Sequence, residues 1–355
     1  MGFLGLWGKK KSFLGVDIGT SSIKVVELAP GPNRVPRLVT YGRAEDASSI
    51  TKVDSEEDIR RLVVTLQEVC RRARVSSRKA VSALPAYTVF SSVISLPVMS
   101  QKELAAAVAW EARKFVPLPL EEMTLDWKLL NDNKKTTEAQ GQNLRVLLTA
   151  APQNVVKKYL DIFKRANLEL LSLETEAFAL ERSLMGGAAE TVMIVDLGAV
   201  TTDISVVEQG IPVLNRSIDV GGLTLTKAIA QSLNIDVKRA EQFKRDIGLN
   251  VVATSGSGTI PHTIEGTISP VINEIKYTFN LYQSQSSKGI EKIILTGGSA
   301  FLPHLTEYLE KIFQLRVYVG DPWARISYPL EMKPVLDEVG PQFAGALGLA
   351  MRELI

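Results

Sequence analysis

Two short stretches of this chain carry residues that could do chemistry, and both carry the same pattern. Leu14 opens LGVDIGTSSIKVVEL and Met193 opens MIVDLGAVTTDISVVE. Each reads as an apolar strand ending in Asp-x-Gly, a turn rich in hydroxyls, and a second apolar strand. Glycine after the aspartate lets the backbone approach a ligand closely, and successive turn amides form a concavity that favours an anion. One such turn could hold one end of a polyphosphate; two turns facing each other could clamp a nucleotide. Hydroxyl-rich turns also cap ordinary hairpins, so a single match says little. The repetition, from Asp17 to Asp196, points to architecture rather than accident. Asp17 to Glu27 spans ten positions and Asp196 to Glu208 twelve, which predicts a second turn about two residues longer.

Bulk properties bound what such a clamp could belong to. At 355 residues the chain has room for two or three cores. It is 45% hydrophobic and 23% charged, which excludes a disordered or fibrous protein. A formal charge of +2 is too mild to argue for nucleic acid. Cys70 has no partner for an intrachain disulfide, and a reducing, cytoplasmic setting is expected. No run of uncharged apolar residues is long enough to span a bilayer. The opening MGFLGLWGKKKS puts apolar residues before the lysines, the reverse of a signal peptide. It reads either as a weak interfacial anchor or as a short lead-in to the first strand.

The elements that must position the two turns alternate between β and α. After the first hairpin, 35–44 reads as a strand and 55–74 as a helix, with Ile59, Leu62, Val63, Leu66 and Val69 at helical spacing. Lys79–Leu84 is a strand stopped by Pro85. Residues 86–150 read as an inserted β-α-β-β module: a strand over 88–96, a helix over 101–115, a strand over 124–131, a polar loop over 131–142 and a strand over 143–150. A helix over 153–165, a strand over 168–173 and a helix over 175–185 follow, with Gly186-Gly187 as a hinge. After the second hairpin come a strand over 211–218, helices over 223–232 and 237–247, and an aperiodic loop over 250–261. A helix over 263–284, a strand at 293–295 and a last helix over 343–352 complete the chain. His262 and His304 lack metal-spaced partners, Trp323 reads as a loop residue beside Pro322, and Arg71, Arg72 and Arg74 as a solvated helix face.

Taken together, these residues resemble the actin-like ATPase family. Lys24 follows Asp17 by seven positions, as a lysine does in actin relatives; AEQFK at Ala240–Lys244 resembles that family's A-E-x-x-K helix; Gly297-Gly298-Ser299 resembles its adenosine turn. Gly221-Gly222 is similar to the turn before that helix in the division relative FtsA. The resemblance implies an α/β, two-lobed actin-like ATPase fold, a ribonuclease H-like core repeated, with the inserted β-α-β-β subdomain. It divides the chain into a first lobe (subdomain 1A, 1–85 and 151–188, joined by a C-terminal helix over 341–355), subdomain 1C (86–150), subdomain 2A (189–222 and 289–340) and subdomain 2B (223–288). It implies ATP and Mg²⁺ as cofactors. Asp17 and Asp196 would hold the ion through its waters. Gly19, Thr20, Ser21, Ser22, Gly198, Thr201 and Thr202 would cradle phosphates, and Lys24 would offset their charge. Gly221, Gly222, Glu241, Lys244, Gly297, Gly298 and Ser299 would hold the adenosine. Glu176 resembles the residue that orients attacking water in hydrolysing relatives; its plainer reading is a first-turn carboxylate favoured by the helix dipole. Asp203 reads as a hairpin residue with no metal role.

Within that family, Leu96–Trp127 (LPVMSQKELAAAVAWEARKFVPLPLEEMTLDW) is similar to the PilM family of type IV pilus assembly proteins. The chain's end at Ile355 is expected to leave no room for the membrane helix that FtsA carries. The likeness implies a cytoplasmic scaffold with slow or negligible ATP turnover. Such a scaffold would capture the N-terminal cytoplasmic peptide of the inner-membrane protein PilN between the first lobe and the module, and would reach the membrane through it. Val93, Leu96, Phe115, Val116 and Leu118 would surround that groove. Pilus motor ATPases, other platform proteins and self-association are further partners to test, and nucleic acid is not expected. Two other classes stay open: an FtsA-like filament former, and a small-molecule kinase sharing the cleft, for which no segment supplies a catalytic carboxylate.

Overall fold

The computed structural model describes residues 12–45, 55–114, 116, 118–130, 143–249 and 259–355. The opening run before Ser12, Phe115, Pro117, the polar loop over 131–142 and most of the aperiodic loop after Asn250 lie outside the described residues.

The first lobe is built on β1 (Phe13–Ile18), β2 (Ser22–Ala29), β3 (Arg37–Glu45), α1 (Glu56–Arg72) and β4 (Lys79–Leu84). Ser55 caps α1 by accepting from the Asp58 amide while the Asp58 carboxylate reaches back, a reciprocal pairing that satisfies two orphan donors. The module follows: β5 (Phe90–Leu96), α2 (Gln101–Ala112), β6 (Met123–Leu129) and β7 (Leu144–Pro152). Its sheet runs β5-β7-β6. Leu104, Val108 and Ala112 bury one side of α2 against Ile94, Leu96, Val146 and Leu148 in a core of the module's own. Then come α3 (Gln153–Arg165), β8 (Glu169–Thr175) and α4 (Glu176–Leu184).

The second lobe repeats the plan with β9 (Thr191–Leu197), β10 (Thr202–Glu208), β11 (Ile211–Ile218), α5 (Gly222–Leu233), α6 (Val237–Ile247), α7 (Thr259–Gln285), β12 (Lys292–Thr296), α8 (Leu305–Phe313) and β13 (Arg316–Val319). Its sheet, β11-β10-β9-β12-β13, matches the first lobe's β3-β2-β1-β4-β8 strand for strand. In both, three antiparallel strands join two that run parallel to the first.

The chain closes with α9 (Lys333–Met351). The last helix is expected over 343–352, and a proline inside a helix lacks the amide and crowds the preceding turn. Instead α9 runs through Pro341 and begins ten residues earlier than expected. Its C-terminal half packs on β1 and on α4, and a Cβ at Gly348 would collide with the Ala179 carbonyl, so only glycine permits that approach. Arg182 ties the crossing by donating to the Gly348 carbonyl (2.6 Å) and to Glu174 (2.8 Å). Trp323, expected in a loop, is fully buried beneath α9 and donates to the Leu336 carbonyl (2.8 Å). The loop expected up to Pro261 is shorter, since α7 already begins at Thr259. No helix among the described residues is long and apolar enough to cross a membrane.

Candidate functional site

The two hairpins place their aspartates at equivalent points. In the first, Ile18 pairs with Ile23 and Asp17 with Lys24; in the second, Leu197 pairs with Thr202 and Asp196 with Asp203. Both turns therefore have the same length, which corrects the expected two-residue difference. Glu27 and Glu208 misled the count because they sit at different depths. Glu27 accepts from Ser12 and Ser76 at the far end of β1, whereas Glu208 closes β10, where Lys288 and Tyr282 donate to it.

The residue facing each aspartate decides the local electrostatics. Lys24 Nζ donates to Asp17 Oδ2 at 2.8 Å, with both side chains largely covered. Asp196 faces a second carboxylate. Burial, then Asp203, raises its pKa to about 7 against the pull of Lys24. Asp203 accepts from Thr201 Oγ1 (3.2 Å), while its Oδ1 is buried without a partner. Burial also pushes its carboxyl up.

Glu176 completes the group. It begins α4, directly after β8, and its Oε2 accepts from the Ala86 amide (3.3 Å). Burial holds its carboxyl well above the usual range, and the charges of Asp203, Asp17 and Asp196 add to the shift. Both hairpins and the α4 start thus converge on one patch of crowded carboxyl groups. The patch sits beside the 3₁₀ turn Ala86–Thr88 that leads into the module. Gly345 of α9 also borders it, with Asp17 Oδ2 3.6 Å from where its Cβ would stand. No three Asp, Glu, His or Cys side chains among the described residues form a direct metal cage. The carboxyl oxygens of Asp17 and Asp196, one on each hairpin, are hard donors of the kind that suits a hydrated Mg²⁺.

On the second lobe's other side, the Gly222 amide donates to the Gly198 carbonyl (3.0 Å) and Leu223 to Ala199 (2.8 Å), pinning the start of α5 to the second turn. Lys244 of α6 is buried and donates to Glu241 (2.7 Å), to Thr226 Oγ1 (3.0 Å) and to the Gly222 carbonyl (3.1 Å). Burial lowers its pKa, with Glu241 pulling the other way. A Cβ on Gly222 would meet Ser299 Oγ, and the Ser299 amide donates to Leu197 (3.1 Å). Gly297 has φ +88, and any side chain there would strike Asp196. Its amide donates to the Pro341 carbonyl (3.1 Å), so α9 fixes the turn. Gly221, Gly222, Glu241, Lys244, Gly297 and Ser299 are thus drawn together around the second turn. Gly298 faces open space, and Thr20 and Ser21 stand in the first turn beside Gly19 and Ser22.

Against that geometry stand the comparisons with known proteins. The family model "Type IV pilus assembly protein PilM" matches residues 15–354. The chain belongs to the PilM family. A solved structure described as the PilM-PilN type IV pilus biogenesis complex is 27% identical, with a TM-score of 0.83 over 98% of this chain and 99% of that one. MreB5 of Spiroplasma citri bound to AMPPNP, 15% identical with a TM-score of 0.54 over 95% of each chain, shares the fold. The cell division protein FtsA of Neisseria meningitidis serogroup B is 29% identical over 209 residues, 51% of this chain. The match spans about half the length of that protein, 49%. The fold is the actin-like ATPase one, as the resemblance implied.

Asp203, read from the sequence as a hairpin residue with no metal role, stands opposite Asp196 among these carboxyl groups. Its signal was present: it follows Asp196 by seven positions, as Lys24 follows Asp17. Of the five apolar residues expected around a groove, Leu96 and Val116 are buried in the module's own core, while Val93 is partly covered and Leu118 exposed. Phe115 lies outside the described residues.

Proposed function

We propose that the chain is a nucleotide-binding scaffold of the type IV pilus assembly machinery. It binds Mg-ATP in the cleft between the hairpins and holds the N-terminal peptide of PilN between its first lobe and the inserted module. The observation that carries the nucleotide half is the concentration of Asp17, Asp196, Asp203 and Glu176 beside two amide-rich turns. Carboxylates this crowded need a cation to ionise together. A hydrated Mg²⁺ held through Asp17 and Asp196 would supply that charge and draw phosphate oxygens toward Lys24. The buried ammonium of Lys244 and the Gly222 and Ser299 turns suit the ribose and base. Glu176, at the start of α4, would stand beside the phosphates as the residue that orients an attacking water in any slow turnover. Support for the peptide half comes from family membership and from the printed description of the 27%-identical complex. Localisation at the inner membrane would follow from the partner.

The module can be removed cleanly in principle, because Phe90 pairs with Ala150 and the two chain crossings lie side by side. Excising residues 88–150 and rejoining the ends should abolish affinity for the PilN peptide and leave Mg-ATP binding intact by calorimetry. Peptide binding that survives the excision would place the groove elsewhere.

A further inference from the structure

The inserted module belongs to the first lobe by chain connection, yet it also rests on the second. Its strand β5 and the 3₁₀ turn Ala86–Thr88 lie against β11, an edge strand of the second lobe's sheet. Arg145 of β7 reaches across to Glu208, the last residue of β10, at 3.6 Å. Glu208 is buried and also accepts from Lys288 (3.1 Å) and Tyr282 (3.2 Å), which fixes it within the second lobe. α4 leads into β9 through Gly186 and Gly187, both at positive φ (+64 and +77). Any turn of one lobe against the other about that link must shift or part the seat of the module on β11.

The seat is lightly made. Asn215 Oδ1 and Ser217 Oγ of β11 are buried without a hydrogen-bond partner. Arg216 between them turns to α7, where it donates to Glu274 (2.7 Å), so Asn215 and Ser217 stand on the opposite face of the strand. A buried polar atom without a partner costs free energy that water returns on opening. Arg145 is 45% exposed, and an ion pair that open to solvent adds little. The contact can therefore part at small cost.

The same region touches the cleft. The Ala86 amide donates to Glu176 (3.3 Å), at the root of the module. Asp196, Asp203 and Ser217 stand in register across β9, β10 and β11, a polar row from the second hairpin to the strand that seats the module. The carboxyl groups of the cleft are divided between the lobes, Asp17 and Glu176 on the first and Asp196 and Asp203 on the second, so a cation bound among them acts between the lobes.

We infer that the seat on β11 is a latch through which the cleft regulates the peptide groove, resting for its peptide on the scaffold reading above. With Mg-ATP bound the lobes close, β11 seats on β5 and the turn, and the module is held in the position that grips the PilN peptide. Such coupling is reciprocal: the peptide tightens Mg-ATP binding by the same factor as Mg-ATP tightens the peptide.

Hydrogen exchange of the full chain tests the latch without any partner. Amides of β5 should exchange about fivefold more slowly or better with Mg-ATP than without it. Arg145→Glu sets a carboxylate against Glu208 and should remove the slowing, with Mg-ATP affinity changed by no more than about twofold; Arg145→Lys should retain it. The labelled PilN peptide should bind about fivefold more tightly in Mg-ATP, and Arg145→Glu should erase that ratio. No slowing in β5, or slowing that survives in Arg145→Glu, would overturn the latch. Equal peptide affinity with and without Mg-ATP would overturn it and leave the scaffold reading standing. Absence of any peptide binding would instead overturn the scaffold reading, and the exchange result alone would decide the latch.

Discussion

Asp203 stands opposite Asp196 across β9 and β10, at the register position where Lys24 stands opposite Asp17 in β1 and β2. The duplicated hairpin has thus kept its geometry while reversing the sign of one partner. One half neutralises its aspartate internally. The other sets two carboxyl groups against each other.

Replacing Asp203 with asparagine should relieve that repulsion. In the nucleotide-free protein at neutral pH the variant should be more stable by on the order of 1 kcal/mol, a rise of a few degrees in melting temperature. Calorimetry or circular dichroism reads it. A lower melting temperature would mean that the Thr201 bond outweighs the repulsion.

The pH dependence has a definite sign. Asp196 titrates near 7 in the folded protein against an ordinary value of 3.8, so the folded state holds a proton that the unfolded chain has released. Its contribution is fully present below about pH 4 and is lost as pH rises through 7. Comparing Asp196→Asn with the parent chain isolates it from other carboxylates. The variant's advantage in melting temperature should grow from pH 4 to pH 7; a constant difference would contradict the assignment. Mg-ATP binding should release protons over the same range, seen as heats that vary with the buffer's ionisation enthalpy.

Asp17→Ala and Lys24→Ala should each weaken Mg-ATP binding by about 1–3 kcal/mol, the scale of a charged hydrogen bond left unpaired. Ser22→Ala should be milder, since its carbonyl, not its hydroxyl, accepts the Gly19 amide. Unchanged affinity in both charge variants, measured by titration calorimetry, would refute the phosphate clamp.

Gly348→Val should destabilise the crossing of α9 and α4 by about 2–3 kcal/mol, because the Ala179 backbone cannot retreat from the added methyls. A melting curve within a degree of the parent would show that the crossing yields more easily than its packing suggests.

Periodicity made most of the fold legible: Lys79–Leu84, Gln153–Arg165, Ile211–Ile218 and Val237–Ile247 lie where the residue pattern puts them. The start of α9 was not legible, since Pro341 is locally a breaker and only its packing and the bonds from Gly297 and Thr296 to its carbonyl explain the helix around it. Trp323 escaped for a similar reason, because nothing nearby in sequence announces Tyr41, Phe343 and Leu336 as its neighbours. Of the cleft, the turn residues and Asp17 were readable from Asp-x-Gly. Asp196 was readable in the same way, and Glu176 only through the family resemblance; the place of Asp203 beside them was not, because β1, β9, β10 and the start of α4 meet only in space.

The central claim is that this chain couples a nucleotide cleft to capture of a pilus-assembly peptide. Fluorescence anisotropy of a labelled N-terminal PilN peptide, titrated with the intact protein in Mg-ATP, tests it most directly. Saturable binding with a Kd below ~100 μM, about −5.5 kcal/mol, is the predicted result. No saturation up to that concentration, with Mg-ATP bound, would contradict it.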